Sequence, residues 1–128
     1  MSIVVDSSVW IEATTRAPGW NRFSPYLAKT SELLVPSVVV AEVGKWFLRE
    51  EGEGVAAMVL GYLLRHEVVT LDAELAVEAA RLGVEHRLGL GDSIIYATAV
   101  HTGSELLTMD AHFEGLPGVR YFAKARAS

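Results

Sequence analysis

The sequence predicts an α/β fold with a parallel sheet covered by helices on both faces. Apolar runs of β-forming residues alternate along the chain with segments that have helical periodicity. The runs are continuously apolar, which is typical of strands buried on both faces of a sheet. The length of 128 residues, of which 51% are hydrophobic, suits one domain with one core, spanning residues 1–128.

The first predicted strand is SIVV (2–5), which ends at Asp6. The following SSVWIEAT is typical of a helix, for which Asp6 or Ser7 is a suitable N-cap. Residues 20–30 are also predicted to be helical, with a proline that a helix tolerates only near its first turn. The first strand is therefore followed by helical segments that return the chain to the sheet.

The second predicted strand is ELLV (32–35). The helix after it is expected to begin at Pro36, because proline is favoured at the first helical position, and to run to about Arg49. The glycine-containing EGEG ends that helix, and VAAMVLGYLLR (55–65) forms another. The third predicted strand is EVVTL (67–71).

Asp72 is the expected N-cap of the next helix, which runs to about Arg87 and has its apolar residues on one face. LGLG (88–91) is expected to be a turn, and DSIIYATAVH (92–101) is a helix so apolar that it must be buried. The remaining elements are a fourth strand, a short helical turn and a candidate fifth strand, at 105–108, 110–113 and 119–122.

Four acidic residues fall where these elements meet one edge of the sheet. Asp6 and Asp110 lie at the carboxyl ends of strands, where ligands bind in open parallel sheets. Asp92 starts the helix that leads into the fourth strand, and because this helix should lie antiparallel to the strand, its N-terminus returns to the same edge. Glu42 lies roughly 8 Å into its helix, within the apolar run VVVAEVGKWF, where a charge is costly without a positive partner. A hard divalent cation such as Mg²⁺ or Mn²⁺ would replace the repulsion among the four carboxylates with binding.

Each acid also has an ordinary explanation when it is taken alone. Asp6 and Asp92 are suitable helix N-caps, and Asp110 is a common type of turn residue. Glu42 has two basic neighbours one or two turns along its helix with which it could pair, Lys45 and Arg49. The conjunction favours a site, because all four acids lie at matching ends of apolar elements and capping does not explain Glu42.

The composition excludes several classes of protein. No apolar run reaches the roughly 18 residues of a membrane-spanning helix, and the N-terminus lacks the basic region of a signal peptide. We therefore expect a cytoplasmic protein that does not contact membranes. There is no Cys, which excludes disulfides and thiolate metal sites. The net charge of −5 argues against simple nucleic-acid binding, but the four acids account for most of the excess of 16 acidic over 11 basic residues.

At these residues the sequence resembles a PIN-domain ribonuclease of the VapC toxin type. The similar stretches are VVDSSVWIE, VPSVVVAEV, LGLGDSIIYATAV and LLTMDAHF, which occur in the family's order between residues 4 and 113. The family's acidic quartet and its supporting hydroxyls fall on Asp6, Glu42, Asp92 and Asp110, and on Ser7 and Thr108. None of the acidic positions departs from the family pattern.

The resemblance implies a three-layer α/β/α sandwich with a mostly parallel sheet of four to five strands. It also implies hydrolysis of RNA with Mg²⁺ or Mn²⁺ as cofactor, giving 5′-phosphate and 3′-hydroxyl ends. Asp6, Asp92 and Asp110 would bind the metal, Glu42 would bind metal or orient the attacking water, and the two hydroxyls would hold the carboxylates in place. Toxins of this kind pair with a VapB-type antitoxin and usually form homodimers.

Other residues are weaker candidates. His112, two residues after Asp110, could reach substrate or metal, although a solvent-facing histidine is the commoner case. Dispersed basic residues are candidate contacts to the RNA backbone, with solvated surface charge as the simpler explanation: Arg16, Arg22, Lys45, Arg49, Arg87, Arg120, Lys124 and Arg126. Apolar residues on two consecutive helices form either core or a groove for a partner helix: Trp46, Phe47, Met58, Leu60, Tyr62 and Leu63.

Two other functions remain open from the sequence. The same nuclease chemistry serves housekeeping RNA processing as well as toxins. A receiver-like signalling or binding domain without enzymatic activity also clusters acids at strand ends, and Asp72 after the third strand would be its phosphoacceptor. A receiver needs a Lys after its fifth strand, however, and the first Lys available there is Lys124. It also leaves Glu42 unexplained.

Overall fold

The computed structural model describes residues 1–125 and contains a five-stranded sheet in which neighbouring strands are parallel. The strand order is β3-β2-β1-β4-β5. The strands are β1 (Ile3–Val5), β2 (Leu33–Pro36), β3 (Glu67–Val69), β4 (Glu105–Thr108) and β5 (Val119–Tyr121). The predicted parallel sheet is confirmed, with five strands.

The helices of the described chain cover both faces of this sheet. They are α1 (Ser7–Thr15), α2 (Ser24–Leu27), α3 (Ser37–Glu50), α4 (Glu53–Leu63), α5 (Ala73–His86) and α6 (Leu90–His101). The connections from β1 to β2 and from β2 to β3 run in one direction across the sheet, whereas the connection from β3 to β4 runs back. Because such crossovers are right-handed, α1 to α4 cover one face and α5 and α6 the other. The fold is the expected three-layer α/β/α sandwich.

The core is built from the central strands and from α6. Val4, Val5, Leu106 and Leu107 of β1 and β4 are at most 1% exposed, because helices cover both faces of these strands. Residues 93–99 of α6 are all buried, which confirms the expectation from its composition. Within that stretch, the hydroxyls of Ser93 and Thr98 donate to the backbone carbonyls four residues earlier in the chain. These buried donors therefore keep hydrogen-bond partners.

The apolar residues of α3 and α4 divide between core and surface. Phe47 and Leu63 are 2% and 0% exposed, so they belong to the core. Met58 and Tyr62 are 76% and 38% exposed. Only part of the predicted set is therefore free to contact another molecule.

The prediction of one helix over residues 20–30 is wrong. The segment contains a 3₁₀ turn at Trp20–Phe23, the short α2, and a second 3₁₀ turn that begins at Thr30. Gly19 enters the segment in the left-handed region, with φ of 85°, and Pro25 lies in the first turn of α2. A helix tolerates proline there, because the N–H groups of a first turn have no partner within the helix.

Two predicted helix starts are also wrong. Pro36 is the last residue of β2 and the N-cap of α3, because its backbone is extended at ψ 140°. Helix α6 begins at Leu90 with Gly89 as its N-cap, so Asp92 lies inside the first turn and does not cap the helix. This position turns Asp92 toward the edge of the sheet.

Several of the basic candidates are already paired. Arg22 lies 3.5 Å from the buried Glu12, and Arg120 lies 3.0 Å from Glu105. Arg126 lies outside the described residues. Among the helices of residues 1–125, none is long and apolar enough to cross a membrane.

Candidate active site

The two central strands of the sheet end beside acidic residues. Asp6 follows β1, and Asp110 lies two residues beyond β4, the neighbouring strand. The chain leaves these strands in opposite directions, so a crevice opens between their ends. Asp92 approaches the crevice from α6 and Glu42 from α3, close enough for the carboxylates to repel one another. The structure therefore brings together the four predicted acids.

Asp6 is buried at the base of the crevice. Its Oδ1 accepts a hydrogen bond from the Ser7 backbone N–H at 2.9 Å. Its Oδ2 accepts from the hydroxyls of Ser8 at 2.9 Å and Thr108 at 2.7 Å. Burial nevertheless raises the pKa of Asp6, and the nearby Asp110 raises it further. The hydrogen bonds thus fix the carboxylate in place without fully offsetting the cost of its charge.

Two hydroxyls connect the ends of β1 and β4. The buried Thr108 donates to Asp6 Oδ2 and accepts from the Asp110 backbone N–H at 2.9 Å. Ser8 donates to the same Asp6 oxygen and accepts from the Met109 backbone N–H at 3.3 Å. The sequence analysis identified Thr108 but missed Ser8. A hydroxyl two residues after an aspartate at a strand end was the available signal.

Glu42 is held at the crevice by Ser7. The Ser7 hydroxyl donates to Glu42 Oε1 at 3.0 Å and lies 3.4 Å from Asp6 Oδ1. A Cβ atom at Gly91 would lie only 2.9 Å from Glu42 Oε2, so the absence of a side chain there makes room for the carboxylate. Burial raises the pKa of Glu42, with smaller contributions from Asp6 and Asp110.

Asp92, Asp110 and His112 form the more exposed side of the crevice. His112 Nδ1 lies 3.0 Å from Asp110 Oδ1 and 3.7 Å from Asp92 Oδ2. One ligand atom from each of the three residues lies within 4.8 Å of the others. Burial, followed by repulsion from Asp110, Asp6 and Glu42, raises the pKa of Asp92 to about 6. His112 was a weak candidate from the sequence, and its position makes it a member of the cluster.

The order of these residues along the chain matches a known family. A family model of the PIN domain matches residues 3–119. The chain belongs to the PIN domain family. The matched region begins in β1, ends in β5 and includes the four acids of the crevice. PIN domains are nucleases that use a divalent metal ion.

Solved structures share this PIN fold at low sequence identity. A toxin–antitoxin complex from Klebsiella pneumoniae has a TM-score of 0.76 and 23% identity, covering 93% of this chain and 96% of that chain. A DNA-bound VapBC from Salmonella typhimurium has a TM-score of 0.78 and 21% identity, covering 96% and 98%. VapC20 from Mycobacterium tuberculosis, a Sarcin-Ricin loop cleaving toxin, has a TM-score of 0.77 and 20% identity, covering 92% and 97%. No curated protein matches the chain.

The donor atoms of the PIN crevice fit a hard divalent cation. Carboxylate oxygens, the ligands preferred by Mg²⁺ and Mn²⁺, converge from four separate elements. Within residues 1–125, no Lys or Arg forms an ion pair with any of these four carboxylates. The raised pKa values of Asp6, Glu42 and Asp92 have the same main origin, which is burial together with neighbouring like charges; hydrogen bonds and, for Asp92, His112 offset these effects only in part.

The ordinary explanations account for only part of this arrangement. Asp6 caps α1 and Asp110 caps the 3₁₀ turn after β4, so both cap an element and also face the crevice. Asp92 does not cap α6. Glu42 accepts a hydrogen bond from Ser7, on another helix, rather than from a basic residue on its own helix. Capping and membership of the cluster therefore coexist.

The receiver-like alternative is wrong, because the chain is a PIN domain. Asp72, the residue considered as a phosphoacceptor, caps α5 by accepting from the Leu75 backbone N–H at 2.8 Å. It follows β3, which lies at the edge of the sheet. The acidic crevice is at the centre of the sheet instead, beyond β1 and β4.

Proposed function

We propose that this PIN domain is a metal-dependent endoribonuclease and the toxin of a VapBC-type toxin–antitoxin pair. The observation that carries the proposal is the convergence of four carboxylates on one crevice, without a Lys or Arg partner within the described chain. Two carboxylates about 5 Å apart repel each other by roughly 3 kcal/mol at an effective dielectric constant of about 20. A divalent cation removes this penalty, and the PIN family uses one.

Each acid has a separate task in this proposal. Asp6, Asp92 and Asp110 hold Mg²⁺ or Mn²⁺, and Glu42 holds the cation or orients the attacking water. When bound, the cation supplies positive charge at the phosphoryl oxygens and a nucleophilic water at neutral pH. The hydroxyls that contact Asp6 and Glu42 keep the carboxylates in position between turnovers.

RNA is the proposed substrate. Water attacks the phosphorus atom, the bond from phosphorus to the 3′ oxygen breaks, and that oxygen leaves as a 3′-hydroxyl after taking a proton. The downstream fragment therefore keeps the phosphate on its 5′ oxygen. One structure of the same fold is described as a Sarcin-Ricin loop cleaving toxin, which supports an RNA substrate for this chain. Four acids in the crevice also explain most of the net charge of −5, so the remaining surface does not strongly repel a phosphate backbone.

A groove on the other side of α1 supports the antitoxin as partner. It has a volume of ≈ 510 Å³ and a mainly apolar lining that includes Trp10, Trp20, Met58 and Tyr62. An amphipathic helix buries its apolar face in such a groove. Structures of the same fold from Klebsiella pneumoniae and Salmonella typhimurium are a toxin–antitoxin complex and a VapBC complex. We therefore propose a VapB-type antitoxin segment as its occupant.

A homodimer is also proposed for this chain. Exposed apolar side chains outside the groove include Val77 and Val84 of α5, at 72% and 84% exposure. Such side chains are a source of association between copies, although single exposed apolar residues are common. Light scattering on the purified chain tests this point. We expect a mass of about two chains, and a single-chain mass across the accessible concentration range would contradict the dimer.

An RNA cleavage assay tests the nuclease. The wild type, Asp92→Asn and Asp72→Asn are incubated with RNA and Mg²⁺ or Mn²⁺, each with and without EDTA. Asp72→Asn is the matched control, because Asn caps a helix as well as Asp does. We expect the wild type and the control to cut RNA only with metal, and Asp92→Asn not to cut. Equal cutting in every lane indicates a contaminating nuclease and contradicts the proposal.

Expression in cells separates a toxin from a housekeeping RNA-processing nuclease. A toxin stops growth when the wild type is expressed alone, and a small partner encoded beside its gene restores growth. Asp92→Asn is expected to leave growth unaffected. An active nuclease that does not slow growth, and that purifies without a small partner, would favour RNA processing.

A further inference from the structure

His112 is a basic side chain that lies within 4 Å of two carboxylates of the acidic crevice. Its Nδ1 lies 3.0 Å from Asp110 Oδ1 and 3.7 Å from Asp92 Oδ2, although the side chain is 76% exposed. Packing in the core therefore does not place it there. The same imidazole nitrogen lies near two carboxylates, whereas an ordinary hydrogen bond needs only one.

The backbone after β4 holds His112 in this position. Asp110 caps the 3₁₀ turn Ala111–Phe113 by accepting from the His112 backbone N–H at 2.9 Å. Phe113 is fully buried and anchors the end of the turn. The turn thus presents the Asp110 carboxylate and the His112 imidazole on the same side, facing Asp92.

We propose that His112 is a ligand of the cation, through Nδ1, together with Asp92 and Asp110, and that this nitrogen shifts the metal preference from Mg²⁺ toward Mn²⁺ and later transition metals. The inference rests on the proposed function, which supplies the cation. It adds a ligand and a metal preference that the four carboxylates alone do not give.

The separation of His112 Nδ1 and Asp110 Oδ1 agrees with shared coordination. Bonds of about 2.1 Å to an octahedral ion place neighbouring ligand atoms about 3 Å apart and opposite ones about 4.2 Å apart. The 3.0 Å separation of His112 Nδ1 and Asp110 Oδ1 is that of neighbouring ligands, and the 3.7 Å to Asp92 Oδ2 lies between the two values. The same distances also fit an ion pair, and metal titration of variants distinguishes the two.

Imidazole changes which ion the crevice prefers. Mg²⁺ takes oxygen ligands and keeps several waters, whereas divalent transition metals bind nitrogen with an affinity that rises from Mn²⁺ to Co²⁺. A nitrogen ligand at His112 therefore strengthens binding least for Mg²⁺, more for Mn²⁺ and most for Co²⁺. Removal of the imidazole must weaken binding in the same order.

Calorimetric titration with Mg²⁺, Mn²⁺ and Co²⁺ tests this order. The proteins are the wild type, His112→Ala and the control His101→Ala, which removes an exposed histidine from the end of α6. We expect His112→Ala to lose about tenfold in Mn²⁺ affinity, more for Co²⁺ and less than about threefold for Mg²⁺. His112→Asp, with an oxygen ligand, should retain Mg²⁺ binding. Equal changes for the three ions would show that the imidazole acts only as a neighbouring charge.

Pulsed electron paramagnetic resonance of bound Mn²⁺ gives a readout that does not depend on activity. A directly coordinated imidazole couples its ¹⁴N nucleus to the metal. We expect this coupling in the wild type and in His101→Ala, and its loss in His112→Ala. Its absence from a wild type that binds Mn²⁺ and cuts RNA would contradict the ligand and leave the nuclease intact. Absence of metal binding and of cutting would contradict the proposed function itself.

Discussion

Two regions of the molecule both contain acidic residues, but the pKa is lowered for an acid of one region and raised for acids of the other. On the outer face of α5, Arg81 lies 2.6 Å from Glu78 and 3.2 Å from Glu85, and its hydrogen bond lowers the pKa of Glu78. In the crevice, burial and mutual repulsion raise the pKa values of Asp6, Glu42 and Asp92. The first region is a solvated network of ion pairs, whereas the second has no Lys or Arg as an ion-pair partner within residues 1–125.

The difference shows why a count of charges does not identify a site. Both regions contribute to the same net charge of −5. Of the two, the crevice gathers its acids from separate elements, and in the described part of the chain no arginine or lysine pairs with them. The side chains of α5 pair within one or two turns of one helix, as expected for a surface face. A partner must come from solution to the crevice, and a cation is the partner that carboxylates accept.

The largest expected difference between the two regions is in RNA cleavage. Asp6→Asn removes a proposed ligand at the base of the crevice, and we expect cleavage to fall by at least about a hundredfold. Glu78→Gln removes an acid of α5 and should leave cleavage within about twofold. Initial cleavage rates with saturating Mn²⁺ measure both, and circular dichroism checks that both fold. Similar losses in the two variants would contradict the distinction.

Thr108→Val sharpens the comparison within the crevice. The change keeps the shape of the side chain but removes the hydroxyl that joins Asp6 to the Asp110 backbone. We expect a loss of about tenfold in cleavage or in Mn²⁺ affinity, because groups that orient metal ligands have effects of this size. Thr102→Val is the control, because it removes a half-buried hydroxyl at the C-cap of α6. Unchanged activity in Thr108→Val would mean that the hydroxyl does not position the site.

The pH dependence of stability should distinguish the crevice when metal is absent. The folded state raises the pKa of Asp92 from 3.8 to about 6, so it favours the protonated form. This stabilisation is complete below the ordinary pKa and is lost as the pH rises through about 6. In EDTA, the melting temperature of Asp92→Asn should exceed that of the wild type by a few degrees at pH 7.5 and by less at pH 4.5. If the difference in melting temperature between the two proteins is the same at both pH values, the prediction is contradicted.

The smallest expected effect comes from α5. Arg81→Ala separates Glu78 and Glu85 from their partner, but these side chains are exposed and solvent screens their charges. We expect the melting temperature to fall by less than about 2 °C, with RNA cleavage unchanged. A loss of cleavage would show that the outer face of α5 takes part in function.

The positions of the acids could be predicted from the order of strands and helices along the sequence. Parallel strands with helical crossovers place Asp6 and Asp110 at one edge, and Glu42 shows itself by its place in an apolar run. The start of α6 was harder to predict, because Asp92 is the better capping residue by type but Gly89 takes that position. With Gly89 as the N-cap, Asp92 lies within the first turn of α6, on the more exposed side of the crevice.

Side-chain contacts across the sheet could not be predicted in the same way. Ser8 and Thr108 are a hundred residues apart, and their shared contact with Asp6 depends on the register of β1 against β4. The place of His112 beside Asp92 depends on the 3₁₀ turn after β4 and on the rotamer of the side chain, which the sequence does not show. The pairing of the buried Glu12 with Arg22 likewise depends on the irregular segment before α2, which the sequence analysis assigned to a helix.

Gly91 gives the molecule a steric control over its own chemistry. A methyl group added there would lie 2.9 Å from Glu42 Oε2, and this oxygen is at the free end of a flexible side chain. Gly91→Ala would therefore fold while displacing one carboxylate from its place beside Ser7. All charges of the crevice would remain. If Glu42 acts as proposed, a single added carbon would thus yield an inactive form that keeps the net charge of the crevice and is suited to capturing an uncut substrate.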